Sequence, residues 1–571
     1  MMSALGVLPL LLLSCNKDSG SADDTSGEAG WSPELYCPGD ASGVCDDADG
    51  ALRAGAAAVT ITPTCFESWT DADGNGEYDS DEGDIHLDCG CDRLCDGDAG
   101  YPGPDPGEGD DDFQAVWLAG FQNGRPASGV RDDNWARAIV LDQGETRIAI
   151  VAVDLVGWFY DDVVATREML SSDLGIDHLM VASTHQHEGP DTMGLWGRTV
   201  TSGGYDPDYA AYVRERTVDA VTAAVADLRE IGSLTVGSVD YSTYDAEEGT
   251  RNLVRDSRDP VILDESVGAA LLVDTTGQTI ASLVNWGNHP EAMADENTLI
   301  TSDYAHAIRE GMESGVDWAS YQKPGLGGVS IYLNATVGGL MTPLGVNFTD
   351  PDGVVWSETT FERADAMGYM IADMAMDALD AGVIDENPSL SFEAQTLKFP
   401  VENWGFQAMF LSGIITRTLY DYDPSDAIDE DNTPTVLTEL NRIQVGPLSM
   451  LTVPGEIFPE LAVGGYDGSR INSPVEELID ADNPNPPDMS LAPEGPYWKE
   501  RLLTEHAWIV GMGNDELGYI IPPYDFITDE TLPFLEEAEG DHYEETNSLG
   551  PETATILDEE VTRLLDWATA R

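Results

Sequence analysis

Apolar positions along this chain fall into two kinds of run. Residues 147–156 (RIAIVAVDLV), 179–183, 279–286 and 443–453 are short, continuous and rich in Val and Ile, as in strands buried on both faces. Between such runs the apolar positions recur at helical spacing. Asp206-Pro207 reads as an N-cap followed by proline in the first turn, with Val213, Val221, Val225 and Leu228 on one face and a stop near Gly232. A second helix is expected over about 357–381, with Phe361, Ala364, Ile371, Ala375 and Leu379 inward and Gly382 just beyond its end. Its four methionines, Met367, Met370, Met374 and Met376, read as core filler. This alternation from Val116 onward predicts an α/β fold, a layered domain on a mixed sheet. The polar stretches 421–432 and 467–495 read as surface insertions.

Charge narrows the range of partners. Among 571 residues, 26 Lys and Arg face 106 Asp and Glu, a net −80. That field repels phosphate backbones, so no nucleic acid is expected as a partner. The apolar run 5–13 is too short to span a bilayer, and it ends in Leu12-Leu13-Ser14-Cys15, which resembles a bacterial lipobox. In that reading 1–15 is a lipoprotein signal peptide, Cys15 carries the lipid, and 16–50 is a flexible acidic tether. The body, 51–571, then sits at the bacterial cell envelope, lipid-anchored or secreted, and meets a membrane through its anchor only.

The remaining six cysteines, Cys37, Cys45, Cys65, Cys89, Cys91 and Cys95, fit disulfides of an oxidising compartment, with connectivity open. A zinc cluster suits them less, because Cys89, Cys91 and Cys95 do not repeat a paired C-x-x-C. Within the acidic insertion 65–112, Asp71, Asp73, Asn75, Asp79 and Glu82 occupy positions 1, 3, 5, 9 and 12 of a calcium loop. Gly76 stands at position 6 and Glu77 offers its carbonyl. A structural Ca2+ is expected there, so the insertion is read as disulfide- and calcium-stabilised.

Chemistry gathers where apolar runs stop, the place where α/β sheets hold ligands. Asp154, Ser183-Thr184-His185-Gln186-His187, Asn288-His289-Pro290 and Pro454-Gly455-Glu456 each follow such a run. His185 and His187 differ by two, so extended backbone projects both to one face. Two His and a Glu from separate strand ends point to a catalytic zinc with a place left for water, and thus to hydrolysis without a Ser or Cys nucleophile.

At these residues the chain resembles the neutral, non-lysosomal ceramidases, secreted or membrane-associated zinc amidases. The resemblance rests on an ordered set of motifs: 57–63 (AAVTITP), 133–138 (DNWARA), 183–190 (STHQHEGP), Asn288-His289-Pro290, Ser302-Asp303-Tyr304, 453–456 (VPGE), 518–520 (GYI) and 542–544 (HYE). It implies zinc held by His185, His289, Glu456 and Tyr519, with His187, Arg251 and Tyr543 lining the pocket. Arg255 competes with Arg251 for its position. Asp154 and Asp303 are read as residues that fix an imidazole tautomer. Thr342 stands nearest to the family's pre-proline serine, with one extra residue in the loop, while Glu188 and Glu291 are expected to add negative charge at the rim. No C-terminal immunoglobulin-like domain is expected. The implied activity is hydrolysis of an N-acyl amide in ceramide or a similar N-acylated amphiphile by zinc-bound water. The alternative is a calcium-stabilised surface binding lipoprotein on a degenerate hydrolase scaffold. Oligomeric state is left open.

Overall fold

The computed structural model describes residues 33–38, 50–241, 253–318, 321–429, 431–471 and 477–569. The lipobox reading with Cys15, and Arg251, lie outside the described residues. Nine strands form the larger sheet. Along its main path these are Val329–Asn334, Thr279–Trp286, Ser266–Asp274, Arg229–Asp240, Arg53–Thr60, Trp135–Gln143, Thr146–Val153 and His178–Ser183, and Val383–Asp385 also pairs with Arg229–Asp240. The sheet is mixed: Thr279–Trp286 runs parallel to Val329–Asn334, and Thr146–Val153 parallel to His178–Ser183, amid antiparallel neighbours.

A five-stranded sheet, Leu35–Tyr36, Leu390–Pro400, Thr435–Val445, Leu448–Thr452 and His506–Val510, faces it. Ile139, Ile150, Leu272 and Leu283 of the larger sheet share one core with Phe392, Ile443, Met450 and Trp508 of the smaller. Helices cover the outer faces. Pro207–Ala226 packs Val213, Ala220 and Val221 on Val140, Val151 and Val181, and Phe361–Asp380 lies with Tyr304–Ser314 over the other end. Thr553–Thr569 closes the small sheet with Leu557, Val561 and Leu564. The result is four layers, helix, sheet, sheet, helix, each sheet hydrophobic on both faces.

Local rules account for most boundaries. Asp206 caps the first long helix through Asp208 N–H, and Thr360 caps the second through Arg363 N–H. The first helix ends at Ala226, earlier than expected, because Gly232 belongs to the following strand, where a side chain would strike the Asp274 carbonyl. The run 443–453 is two strands rather than one: Gly446, at φ +52°, turns the chain between Val445 and Leu448. Leu35–Tyr36, expected in the tether, instead adds an edge strand, with the Tyr36 hydroxyl reaching Glu439. In the acidic insertion Cys65 pairs with Cys91 and Cys89 with Cys95, and Cys37 is also disulfide-bonded. Among the described residues no helix is long and apolar enough to cross a membrane.

Candidate metal centre and its pocket

Parallel strand pairs bring their carboxyl ends to one edge, and the loops leaving those ends hold the polar groups. His185 and His187 follow His178–Ser183, His289 follows Thr279–Trp286, Thr342 follows Val329–Asn334, and Glu456 follows Leu448–Thr452. Ser183 N–H donates to Met512 O and Asn514 N–H to Val181 O, which joins the two sheets at this edge. The two-residue strands Glu456–Ile457 and Tyr519–Ile520 pair in parallel with Glu456 opposite Tyr519. Register alone therefore places the phenol beside the carboxylate.

One ring nitrogen each from His185, His187 and His289 lies within 4.8 Å of the others, and all three are buried. His185 and His289 give Nδ1–H to backbone carbonyls, Val156 O at 2.6 Å and Met341 O at 2.7 Å, which leaves Nε2 as the lone-pair donor. Both Nε2 atoms meet one oxygen of Glu456, at 3.4 Å and 3.0 Å. Burial opposes ionisation of Glu456, but His185 and His289 overcome it and hold the carboxyl well below its usual range. Burial pushes His187 down to about 4 despite Glu291, so its imidazole is neutral. Three imidazoles beside an ionised carboxylate are a donor set suited to a divalent metal, and the cluster could hold one.

The site departs from sequence expectation at several points. His185 is not extended: its φ of +65° is unusual for a residue with a side chain, and the strand has already ended at Ser183. His187 lines the pocket and also meets the other two imidazoles. Backbone carbonyls orient His185 and His289, while Asp154 and Asp303 touch no imidazole. Asp154 binds Arg309 Nη1 at 2.7 Å and 2.9 Å and accepts from Trp135 N–H, Ser302 and Thr184, anchoring the turn before His185. Asp303 caps Tyr304–Ser314 and accepts from Met293 N–H. Glu188 and Glu291 are buried instead of on the rim: Glu188 pairs with Arg125, and Glu291 touches His187 and Thr342. Arg255 exchanges backbone hydrogen bonds with Thr342.

A pocket of about 70 Å³ opens onto the cluster. His185, His187, Glu456, Tyr519 and Tyr543 stand at one part of its wall; Phe159, Met193, Trp196, Phe406, Phe410 and Ile415 make much of the rest. The Tyr519 and Tyr543 rings lie 6.2 Å apart, edge to face. Glu516, which the sequence reading did not single out, also lines the pocket, and burial together with Glu456 pushes its carboxyl well up. Its position three residues before Tyr519 was the one available signal. Gly120 is required here: at φ +102° a Cβ would lie 2.4 Å from His187 Cγ.

In the acidic insertion, carboxylate oxygens of Asp71, Asp73 and Asp84 lie within 4.8 Å of one another. Asp71 accepts from Gly74 and Gly76 N–H, and Asn75 from Glu77 N–H, so the expected curved loop forms. Asp84, beyond position 12, joins this cluster although loop spacing did not select it.

No family model and no curated protein matches the sequence. Solved structures do. The neutral ceramidase of Pseudomonas aeruginosa superposes with a TM-score of 0.57 at 15% identity, covering 90% of this chain and 74% of that one. A ceramidase complexed with C2 superposes with a TM-score of 0.56 at 14% identity, covering 90% and 75%. The chain has the neutral-ceramidase fold.

Proposed function

We propose that the chain is a zinc-dependent amidohydrolase that cleaves the N-acyl bond of ceramide or a similar N-acylated amphiphile. The observation that carries this reading is the convergence of three buried imidazoles and Glu456 on an apolar-walled pocket. His185, His289 and Glu456 would hold the ion, with Tyr519 beside them. Zinc in such a cradle supplies Lewis acidity, lowering the pKa of water and polarising a carbonyl. Phe159, Trp196, Phe406 and Phe410 bind the acyl chain and keep water from it. Tyr543, edge-on to Tyr519 at the pocket wall, would give a proton to the leaving amine. The fold shared with ceramidases supports the substrate class.

A structural calcium at Asp71, Asp73 and Asp84, and anchoring to the bacterial envelope through Cys15, belong to the same reading. The test is hydrolysis of N-acylsphingosines, N-acyl amino acids and simple esters by purified protein, with metal analysis. Amide cleavage that a chelator abolishes, that zinc restores and that His289→Ala lacks is expected. A chelator-insensitive protein, or one that binds lipid tightly without cleaving it, would leave the binding-protein alternative instead.

A further inference from the structure

A helix that is apolar all round belongs in a core or against lipid. The helix Trp404–Ser412 (WGFQAMFLS) is of this kind, yet none of its side chains is buried. Phe406 and Phe410, one turn apart, line the pocket, while Trp404, Ala408 and Leu411 recur at i, i+4 and i+7 on another face. Trp404 is 41% exposed and Leu411 49%. Leu535, exposed as well, abuts Gly405 and widens the patch. The helix is firmly held at both ends. Asn403 caps it through the N–H groups of Gly405 and Phe406, and its own amide donates to Thr546 O and Ser548 O. Gly413, at φ +74°, ends it, and Met409 and Phe410 pack on the buried Ile415 just beyond. Residues 404–416 carry no charged side chain although 23% of the chain is charged, and acids stand only at the margin, at Glu402, Glu536 and Glu537.

We propose that this helix is a lipid-docking face: Trp404 and Leu411 seat in the headgroup region of a zwitterionic bilayer, beside the pocket, so that an N-acylated amphiphile passes from the lipid to the apolar wall without crossing water. The inference rests on the amphiphile reading of the preceding section and names the surface from which that substrate is drawn. Two features fix the occupant. Phe406 and Phe410 belong both to the helix and to the pocket wall, so what covers the face is continuous with what fills the pocket. A charge-free helix with acids at its margin, on a chain of net −80, suits a zwitterionic surface and is repelled by an anionic one. Tryptophan is also at home at such a boundary, where one side of its ring is apolar and the other wet. At a rise of 1.5 Å per residue the helix is roughly 14 Å long, too short to span a bilayer, so it lies in the interface. The sequence reading expected a membrane contact at the anchor only; this face adds a second.

The experiment measures flotation of the full chain with phosphatidylcholine vesicles, and kcat/KM for an N-acyl substrate embedded in those vesicles and for a short-chain one in free solution. Cys15→Ser in every sample keeps any lipid at that position out of the comparison. Trp404→Ser and Leu411→Ser are each expected to weaken vesicle binding by about 5-fold, and together by about 25-fold, since each removes a half-exposed apolar side chain and the two stand two turns apart. The value of kcat/KM on vesicles should fall in step, while that for the soluble substrate should stay within about 2-fold of wild type. Vesicles containing phosphatidylglycerol should hold the wild-type chain more weakly. Unchanged flotation in the double variant, or an equal loss of kcat/KM on both substrates, overturns the proposal. A wild-type dimer that Leu411→Ser dissociates, with no flotation of either, overturns it in favour of a second copy of the chain. Flotation that follows the expected pattern in a protein inert toward N-acyl amides supports the docking face and refutes the substrate reading alone. Cleavage of the soluble substrate by a chain that does not float refutes the docking face alone.

Discussion

Replacing Arg258 by methionine tests how the pocket wall that carries Tyr543 is held. Arg258 is buried and serves three carboxylates at once: Nε to Asp525 at 2.8 Å, Nη1 to Glu544 at 2.7 Å and Nη2 to Glu545 at 2.7 Å. It also donates to Asp525 O at 2.6 Å and lies 2.9 Å from His542 Nδ1. Methionine fills similar space but leaves the carboxylates without their cation. The cheapest relief is for one of them to take a proton. For Glu544, whose ordinary value is 4.5 and which burial already pushes up, holding a proton at pH 7 costs about 2.5 × 1.36, or roughly 3.4 kcal/mol. That agrees with the ~3–5 kcal/mol seen when one partner of a buried pair is removed. The variant's native state then binds more protons than its unfolded chain, so its deficit grows as pH rises above about 4.5. At pH 5 the same arithmetic gives roughly 0.7 kcal/mol. Urea unfolding of wild type and Arg258→Met at pH 5 and pH 7 gives the comparison. Because the imidazoles and Glu456 come from other loops, zinc binding at pH 5 should persist while amide turnover falls with the displaced Tyr543. A deficit under about 1 kcal/mol at pH 7, or an equal deficit at both pH values, would show that the cluster is not the buried charge group centred on Arg258 described here.

Other consequences can be checked independently. Burial pushes Glu460 up to about 8 despite its bond from Tyr524, so the native chain holds a proton that the unfolded chain releases above about 4.5. Stability contributed by this group is therefore lost as pH climbs toward 8, and Glu460→Gln should gain a few kcal/mol over wild type at pH 8 but little at pH 4, read from urea midpoints. Gly120→Val should destabilise the chain, because its Cβ would overlap the His187 ring at a φ of +102°; an unchanged urea midpoint would contradict the packing. If calcium binds at Asp71, Asp73 and Asp84, saturating it at about 100 times its dissociation constant should stabilise by ~2.7 kcal/mol, and Asp84→Asn should abolish the calcium-dependent rise in melting temperature. Phe410→Ala should lower kcat/KM more for long acyl chains than for short ones, measured over a chain-length series, since the ring lines the apolar wall.

The sequence disclosed the site better than it disclosed the site's supports. His185, His289 and Glu456 stood out because each follows an apolar run, and strand ends are where α/β sheets place ligands. Asp154 stood out for the same reason and Asp303 through the Ser302-Asp303-Tyr304 motif, yet one anchors Arg309 and the other caps a helix, since a carboxylate in a loop serves a turn as readily as a metal. The true orienting groups of His185 and His289 are carbonyls, which every residue has and no pattern marks. Glu291 looked like a rim charge because a lone Glu after His-Pro carries no sign of what packs over it.

What the linear order determined by itself was the alternation of Val- and Ile-rich runs with capped amphipathic helices, and hence the layers, because periodicity and capping act over a few residues. It also determined which residue types wait at the strand ends. What only the tertiary structure decided was convergence: that Tyr519 stands opposite Glu456 by strand register, that His187 turns in to join two imidazoles from loops a hundred residues apart in sequence, and that Glu291 and Thr342 meet behind it. Contacts between residues so far apart depend on how two sheets pack and where their ends meet, a long-range outcome that local spacing does not encode.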